Sequence, residues 1–139
     1  MEIKPYDSLS HTKWNCKYHV VFIPKFRKKE LYGKTKKYLA GVFHELSRQR
    51  SCTIIKGNMA KDHVHMLISI PPKYSVSEVI GYIKGKSAIA MARQFGGRKR
   101  NFSGEKFWAR GYAVSTVGFE EKQIVSYIAN QERHDKDVV

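Results

Sequence analysis

The fold follows from residues 52–70, CTIIKGNMAKDHVHMLISI, in which two apolar runs stand almost next to each other. The runs are CTIIKGNM at 52–59 and HVHMLISI at 63–70, and three residues separate them. Runs of this length, rich in Ile, Val and Thr and joined by so short a connection, indicate two neighbouring strands. The stretch therefore predicts an antiparallel hairpin.

The second run places two histidines on one face of its strand. Because successive strand side chains point to opposite faces, His63 and His65 share a side with Leu67. The opposite side is apolar and is expected to face the helices; its members are Val64, Met66, Ile68 and Ile70. Two imidazoles on the open face can bind one metal ion or one phosphate. Two surface histidines without a function would show the same pattern.

The flanking sequence extends the hairpin to a βαββαβα order. It predicts a strand at 16–23, a helix at 35–50, a helix from Ser75 or Ser77 to Phe95, a strand at 112–117 and a helix at 120–133. This order predicts an α+β fold of the split-βαβ type, ferredoxin-like and RRM-like, with an antiparallel sheet and helices on one face. We expect residues 1–139 to form a single domain.

Composition limits the functions that the chain can have. It contains 139 residues and carries 26 Lys and Arg against 12 Asp and Glu, a net charge of +14 that favours a polyanionic partner such as nucleic acid. Cys16 and Cys52 stand too far apart for a CxxC zinc knuckle and are too few for a disulfide framework. No apolar run predicts a signal peptide or membrane span, so we expect a cytoplasmic protein.

The last predicted helix carries a second candidate constellation. Tyr127 and Gln131 are four residues apart and therefore lie on the same side of a helix, one turn from each other. A tyrosine in this position also serves as an amphipathic packing residue. Two enzyme classes that use an HxH strand do not fit: amidohydrolase barrels need about 250 residues, and a triple-histidine nucleotide hydrolase would need histidine where Leu67 stands.

Four stretches together resemble one family. HVH at 63–65 resembles the signature of HUH nucleases, and YIANQ at 127–131 resembles the Tyr-x-x-x-Gln motif of single-tyrosine HUH transposases of the insertion-sequence 200/605 type, the TnpA kind. YHVVFIPKFRKK at 18–29 and FWARGYAVSTVG at 107–118 resemble the same family. The likeness runs from about residue 14 to residue 131, with no departure at the metal and nucleophile positions.

The resemblance implies a chemistry and a set of site residues. His63, His65 and Gln131 would hold one divalent cation, Mg²⁺ or Mn²⁺, and Tyr127 would attack single-stranded DNA to form a 5′-phosphotyrosine. Asp62, on an extended strand, is expected to point away from the histidine face and is left out of the site. The family recognises hairpins at the ends of its element and works in the bacterial or archaeal cytoplasm at the nucleoid.

The resemblance also implies a homodimer in which each subunit completes the partner's site. Gly118, just before the tyrosine helix, has the backbone freedom that a hinge for such an exchange needs, although a plain turn would use it equally well. Basic residues are candidates for DNA phosphate contacts: Lys25, Arg27, Lys28 and Lys29, an outward row of Lys84, Lys86 and Arg93, and Arg98, Lys99 and Arg100.

Three alternatives remain open. A non-catalytic RNA-binding module could use the same sheet, but it would carry aromatic residues where the central strand has His63 and His65. A small metal-dependent phosphodiesterase would use water as its nucleophile, with Tyr127 only packing. A domesticated, palindrome-associated nuclease would share the family's motifs.

Overall fold

The computed structural model describes residues 7–9, 12–25, 33–95 and 107–117. Within these ranges the chain forms six strands and two helices. In chain order they are β1 (Asp7–Leu9), β2 (Thr12–Trp14), β3 (Lys17–Phe22), α1 (Gly33–Gln49), β4 (Thr53–Ala60), β5 (His63–Ser69), α2 (Val76–Phe95) and β6 (Ala113–Val117). Neither helix is long and apolar enough to cross a membrane.

Four of the strands form one antiparallel sheet in the order β4-β5-β3-β6. Helix α1 connects β3 to β4 and α2 connects β5 to β6, and in each case one strand lies between the two that the helix joins. This is the split-βαβ arrangement, so the predicted fold class is confirmed. The predicted helix at 120–133 lies outside the described residues.

The sequence explains where α2 begins. The hydroxyl of Ser75 accepts a hydrogen bond from the Glu78 amide at 3.1 Å, and the Ser75 amide donates to the Glu78 carboxylate at 3.3 Å. This reciprocal capping box satisfies two amides that have no partner inside the helix. Of Ser75 and Ser77, the two predicted starting points of this helix, the structure therefore selects Ser75 as the cap.

The core lies between the two helices and the sheet. The apolar face of β5 is almost inaccessible, with Val64 and Met66 1% exposed and Ile68 0% exposed. The helices contribute apolar side chains spaced three or four residues apart, or next to each other, along one face of each helix: Leu39, Phe43 and Leu46 from α1, and Val79, Ile80, Ile83, Ala88 and Met91 from α2. The strand-face assignment made from alternation is thus confirmed.

The histidine face of the sheet is less open than predicted. Leu67 on this face is 0% exposed and forms a second apolar cluster with Val117, 6% exposed, and the half-buried Ile55. Ile55 follows the core residue Ile54 and therefore points to this face. The β4–β5 register shifts between Ile54 and Lys56, which is a β-bulge that sets Ile55 beside Lys56, the partner of Leu67. The apolar cluster thus lies between the histidines and a buried polar pair, Lys17 and Ser69, at the other end of this face.

Two short strands near the N-terminus are absent from the sequence prediction. Residues Asp7–Leu9 and Thr12–Trp14 pair with each other in an antiparallel ladder separate from the main sheet. Each strand has three residues, too few for a period-2 pattern to be recognised. For the other elements within the described residues, the boundaries differ from the predicted ones by at most two residues, the usual uncertainty of element ends.

Candidate functional site

Strand β5 holds His63 and His65 side by side. Their ring centroids are 4.5 Å apart, with the ring planes at 78° to each other. On the neighbouring strands, the register sets His65 opposite Val21 of β3 and Asn58 of β4. The structure therefore brings the two predicted metal ligands into contact on the face of the sheet opposite the described helices α1 and α2.

The histidine pair fits one divalent cation. Two imidazoles that bind the same ion through nitrogens at about 2.1 Å, in directions roughly 90 to 110° apart, have ring centroids about 4.6 to 5.3 Å apart. The observed separation of 4.5 Å is close to the lower end of this range. Neutral imidazoles leave the positive charge of the ion undiminished, which suits a site that must bind a phosphate.

The third predicted ligand and the predicted nucleophile cannot be compared with this geometry. Gln131, Tyr127 and the proposed hinge Gly118 lie outside the described residues. Within the described ranges, no group of three or more His, Cys, Asp or Glu side chains forms a complete metal-binding set. The described part of the site is thus the histidine pair and the residues that touch it.

Asp62 touches the pair, contrary to the sequence expectation. Its carboxylate oxygen Oδ1 lies 2.7 Å from Nδ1 of His63. The expectation assumed that Asp62 belongs to the extended strand, whereas β4 ends at Ala60 and β5 begins at His63, which leaves Asp62 in the turn. A turn residue is not bound by strand alternation, so its side chain can reach the histidine face.

A third imidazole completes a row that sequence analysis missed. The ring of His19 on β3 stacks on His65, with centroids 5.7 Å apart and planes at 20°. Burial lowers the pKa of His19, which favours the neutral ring. The signal was available in YHVVF, where the buried Val20 and Phe22 place His19 on the other face, but only the β3–β5 pairing brings it beside His65.

The predicted DNA-contact lysines differ in their surroundings. Lys84 does not lie in an outward row, because its ammonium donates hydrogen bonds to the carbonyl oxygens of Ala109, at 2.8 Å, and Gly111, at 2.6 Å. Lys86 and Arg93 are exposed on α2 and lie seven residues apart, on one side of the helix. Residues two apart on a helix point in nearly opposite directions, which is why Lys84 and Lys86 separate.

Lys25 is the remaining candidate that the structure describes. It is half-buried, and its backbone amide donates to the Phe107 carbonyl at 2.8 Å. The other candidates, Arg27, Lys28, Lys29, Arg98, Lys99 and Arg100, lie outside the described residues. DNA binding by the whole basic set stays a prediction.

Comparisons with known proteins agree on one family. The family model described as "Transposase IS200 like" matches residues 12–131. The transposase for insertion sequence element IS200 of Salmonella typhimurium is 43% identical over 129 residues, which cover 93% of this chain and 85% of the relative. The ISDra2 transposase TnpA of Deinococcus radiodurans is 28% identical over 125 residues, 89% of this chain and 88% of that protein.

Solved structures share the fold. The crystal structure of a candidate transposase from Deinococcus radiodurans R1 superposes with a TM-score of 0.66 at 26% identity, covering 84% of this chain and 90% of the other. A REP-associated tyrosine transposase bound to a REP hairpin superposes with a TM-score of 0.64 at 16% identity, over 86% and 68% of the two chains. The family model matches most of this chain, and the IS200 transposase of Salmonella typhimurium is 43% identical to it. The chain therefore belongs to the IS200-like transposase family.

Proposed function

We propose that this transposase cuts single-stranded DNA and rejoins it through a covalent bond to Tyr127. One observation carries the proposal: the rings of His63 and His65 lie edge-to-face, with centroids 4.5 Å apart, on the sheet side opposite α1 and α2, in a chain of the IS200-like transposase family. Such a pair suits the binding of a metal and a phosphate, whereas RNA-binding modules on this architecture carry aromatic residues that stack on bases.

The chemistry divides between the cation and the tyrosine. A divalent cation, Mg²⁺ or Mn²⁺, held by His63, His65 and Gln131, would polarise the scissile phosphate. The Tyr127 oxygen forms a bond to phosphorus while the bond from phosphorus to the 3′ oxygen breaks. The phenol proton is lost to solvent and the 3′ oxygen gains one, leaving a 5′-phosphotyrosine and a free 3′-hydroxyl.

The same intermediate accounts for strand transfer. A phosphotyrosine bond replaces a phosphodiester bond of similar energy, so no nucleotide cofactor is needed, and attack by another 3′-hydroxyl reverses the step. This reversibility allows a nuclease to join its cut end to a new strand.

We further propose that the substrate carries hairpins at the element ends and that the enzyme is a homodimer with shared active sites. A structural relative has a REP hairpin bound, which supports hairpin recognition by the common fold. The net charge of +14 favours binding to the phosphates of a folded strand.

A covalent-adduct experiment tests the proposal. The protein is incubated with Mg²⁺ and single-stranded oligonucleotides from the ends of its own locus, and SDS-stable adducts are measured by gel electrophoresis. We expect Tyr127→Phe to abolish the adduct without preventing DNA binding, and His63→Ala or His65→Ala to reduce metal-dependent cleavage strongly. Tyr74→Phe and the exposed His44→Ala are matched controls that should behave as wild type.

Two results would contradict the proposal in different ways. Cleavage that persists in Tyr127→Phe would mean that water is the nucleophile and that the chain is a metal-dependent phosphodiesterase. Nucleic-acid binding without cleavage under any metal condition would instead support a binding module.

A further inference from the structure

Asp62 and His63 form a direct side-chain contact at the histidine pair. The carboxylate Oδ1 of Asp62 lies 2.7 Å from Nδ1 of His63, which is a short, well-formed hydrogen bond. The contact is sheltered, because the two side chains are only 26% and 20% exposed. It is also local, since the turn between β4 and β5 places the two residues next to each other.

The contact with Asp62 determines which ring nitrogen of His63 is available to bind a cation. An ionised carboxylate only accepts hydrogen bonds, so Nδ1 of His63 carries the proton and donates a hydrogen bond to Asp62. In a neutral ring, Nε2 then keeps its lone pair and is the nitrogen that can bind a cation. The edge-to-face contact with His65 at 4.5 Å restricts the ring from the other side.

We propose that Asp62 is a positioning residue of the metal site, which holds His63 in the orientation and tautomer that bind the cation through Nε2. The inference rests on the proposed function, because it takes His63 as a metal ligand. Asp62 acts through His63 and does not itself contact the ion. A carboxylate behind a metal-binding histidine fixes the ring and raises its basicity.

The test measures metal binding directly, without DNA and without turnover. Free Mn²⁺ is followed by electron paramagnetic resonance during titration of the full chain. We expect Asp62→Ala and the larger Asp62→Leu, which both lack an acceptor, to weaken Mn²⁺ binding about 10- to 100-fold. Asp62→Asn keeps an acceptor oxygen and should restore most of the affinity. Lys61→Ala, in the same turn, should bind as wild type.

A second measurement separates positioning from general damage to the fold. We expect the Asp62→Ala enzyme to need a correspondingly higher Mn²⁺ concentration for half-maximal cleavage, with an unchanged midpoint of thermal unfolding and a largely restored rate at saturating Mn²⁺. A structural defect would lower the rate at every Mn²⁺ concentration. If Asp62→Ala does not fold, the comparison of Asp62→Leu with Asp62→Asn tests whether Asp62 positions His63.

The outcomes distinguish this inference from the proposed function. If His63→Ala loses Mn²⁺ affinity while both acceptor-free Asp62 variants bind as tightly as wild type, the positioning role is overturned and the metal site stands. If wild type and His63→Ala bind Mn²⁺ equally, the metal site itself is refuted.

Discussion

The indole N–H of Trp108 donates a hydrogen bond to the hydroxyl oxygen of Ser87 at 3.0 Å, inside the core. Ser87 is 0% exposed and Trp108 is 6% exposed. The bond joins α2 to the segment that precedes β6, so it links the end of the sheet to the helix layer. Trp108 also packs edge-to-face on Phe22, with ring centroids 4.8 Å apart, and is a core residue rather than a surface for stacking bases.

Ser87→Ala is expected to destabilise the protein by about 1 to 3 kcal/mol, because it leaves the buried indole N–H without an acceptor. Urea denaturation measures the free energy of unfolding. Ser47→Ala is the matched control: Ser47 is 1% exposed in α1, and its hydroxyl has no hydrogen-bond partner among the described residues. Equal losses of stability in the two variants would show that the bond to Trp108 contributes little.

Ser51→Gly is expected to stabilise the protein by about 0.5 to 1 kcal/mol. Ser51 follows α1 with φ at 57°, in the left-handed region where a residue with a Cβ is strained and glycine is not. The turn is needed because it allows the Cys52 amide to donate to the Ser47 carbonyl at 2.8 Å. The β-branched Ser51→Val should shift the thermal midpoint in the opposite direction; a lower midpoint for Ser51→Gly would contradict the argument.

Cys52 is expected to make stability depend on alkaline pH. Burial raises the pKa of its thiol to about 11, from 9.0. As the pH rises, the thiol therefore ionises first in the unfolded chain, which favours unfolding. The contribution of the buried Cys52 thiol to the free energy of unfolding is complete below about pH 9. It falls by about 2 kcal/mol as the pH rises through about 11. Urea titrations from pH 8 to 11 should show this loss in wild type and in Cys16→Ser, but not in Cys52→Ala. Parallel curves for wild type and Cys52→Ala would refute it.

Lys86→Ala and Arg93→Ala are expected to weaken DNA binding in a salt-dependent way. Both side chains are exposed on α2, and each lost phosphate contact should reduce the slope of log K against log salt by about 0.7 to 1. Lys84→Met should instead affect stability, because the Lys84 ammonium donates hydrogen bonds to two backbone carbonyls. We expect this variant to have a lower midpoint of thermal unfolding. Fluorescence anisotropy of a labelled oligonucleotide at several salt concentrations measures the slopes; unchanged slopes in both exposed variants would exclude them from the DNA interface.

Gly118→Pro is expected to leave DNA binding intact and to impair strand transfer. Proline fixes φ and removes the backbone donor, so a hinge at this position could no longer change conformation. Anisotropy measures binding, and joining of a labelled cut end to a second oligonucleotide measures transfer. Wild-type transfer by this variant would refute the hinge role of Gly118.

The sequence determined the layers of the fold and the identity of the histidine pair. Alternation in HVHMLISI separates Val64 and Met66 from His63 and His65, and the spacing in α1 and α2 identifies the buried helix faces. These features depend on residues close together in the chain, where the periods of strand and helix are reliable. The likeness of four motifs to one transposase family was also a property of the sequence, and the family is confirmed.

Only the tertiary structure decided which side chains meet the histidine pair. His19 is 46 positions from His65 in the sequence, and the pairing of β3 with β5 makes them stack. Asp62 reaches His63 because it lies in the turn between β4 and β5, where strand alternation does not apply. Lys84 turns inward because the carbonyls of Ala109 and Gly111 lie beside α2. Each relationship joins a side chain to a turn or to a distant strand, and local periodicity contains no information about either.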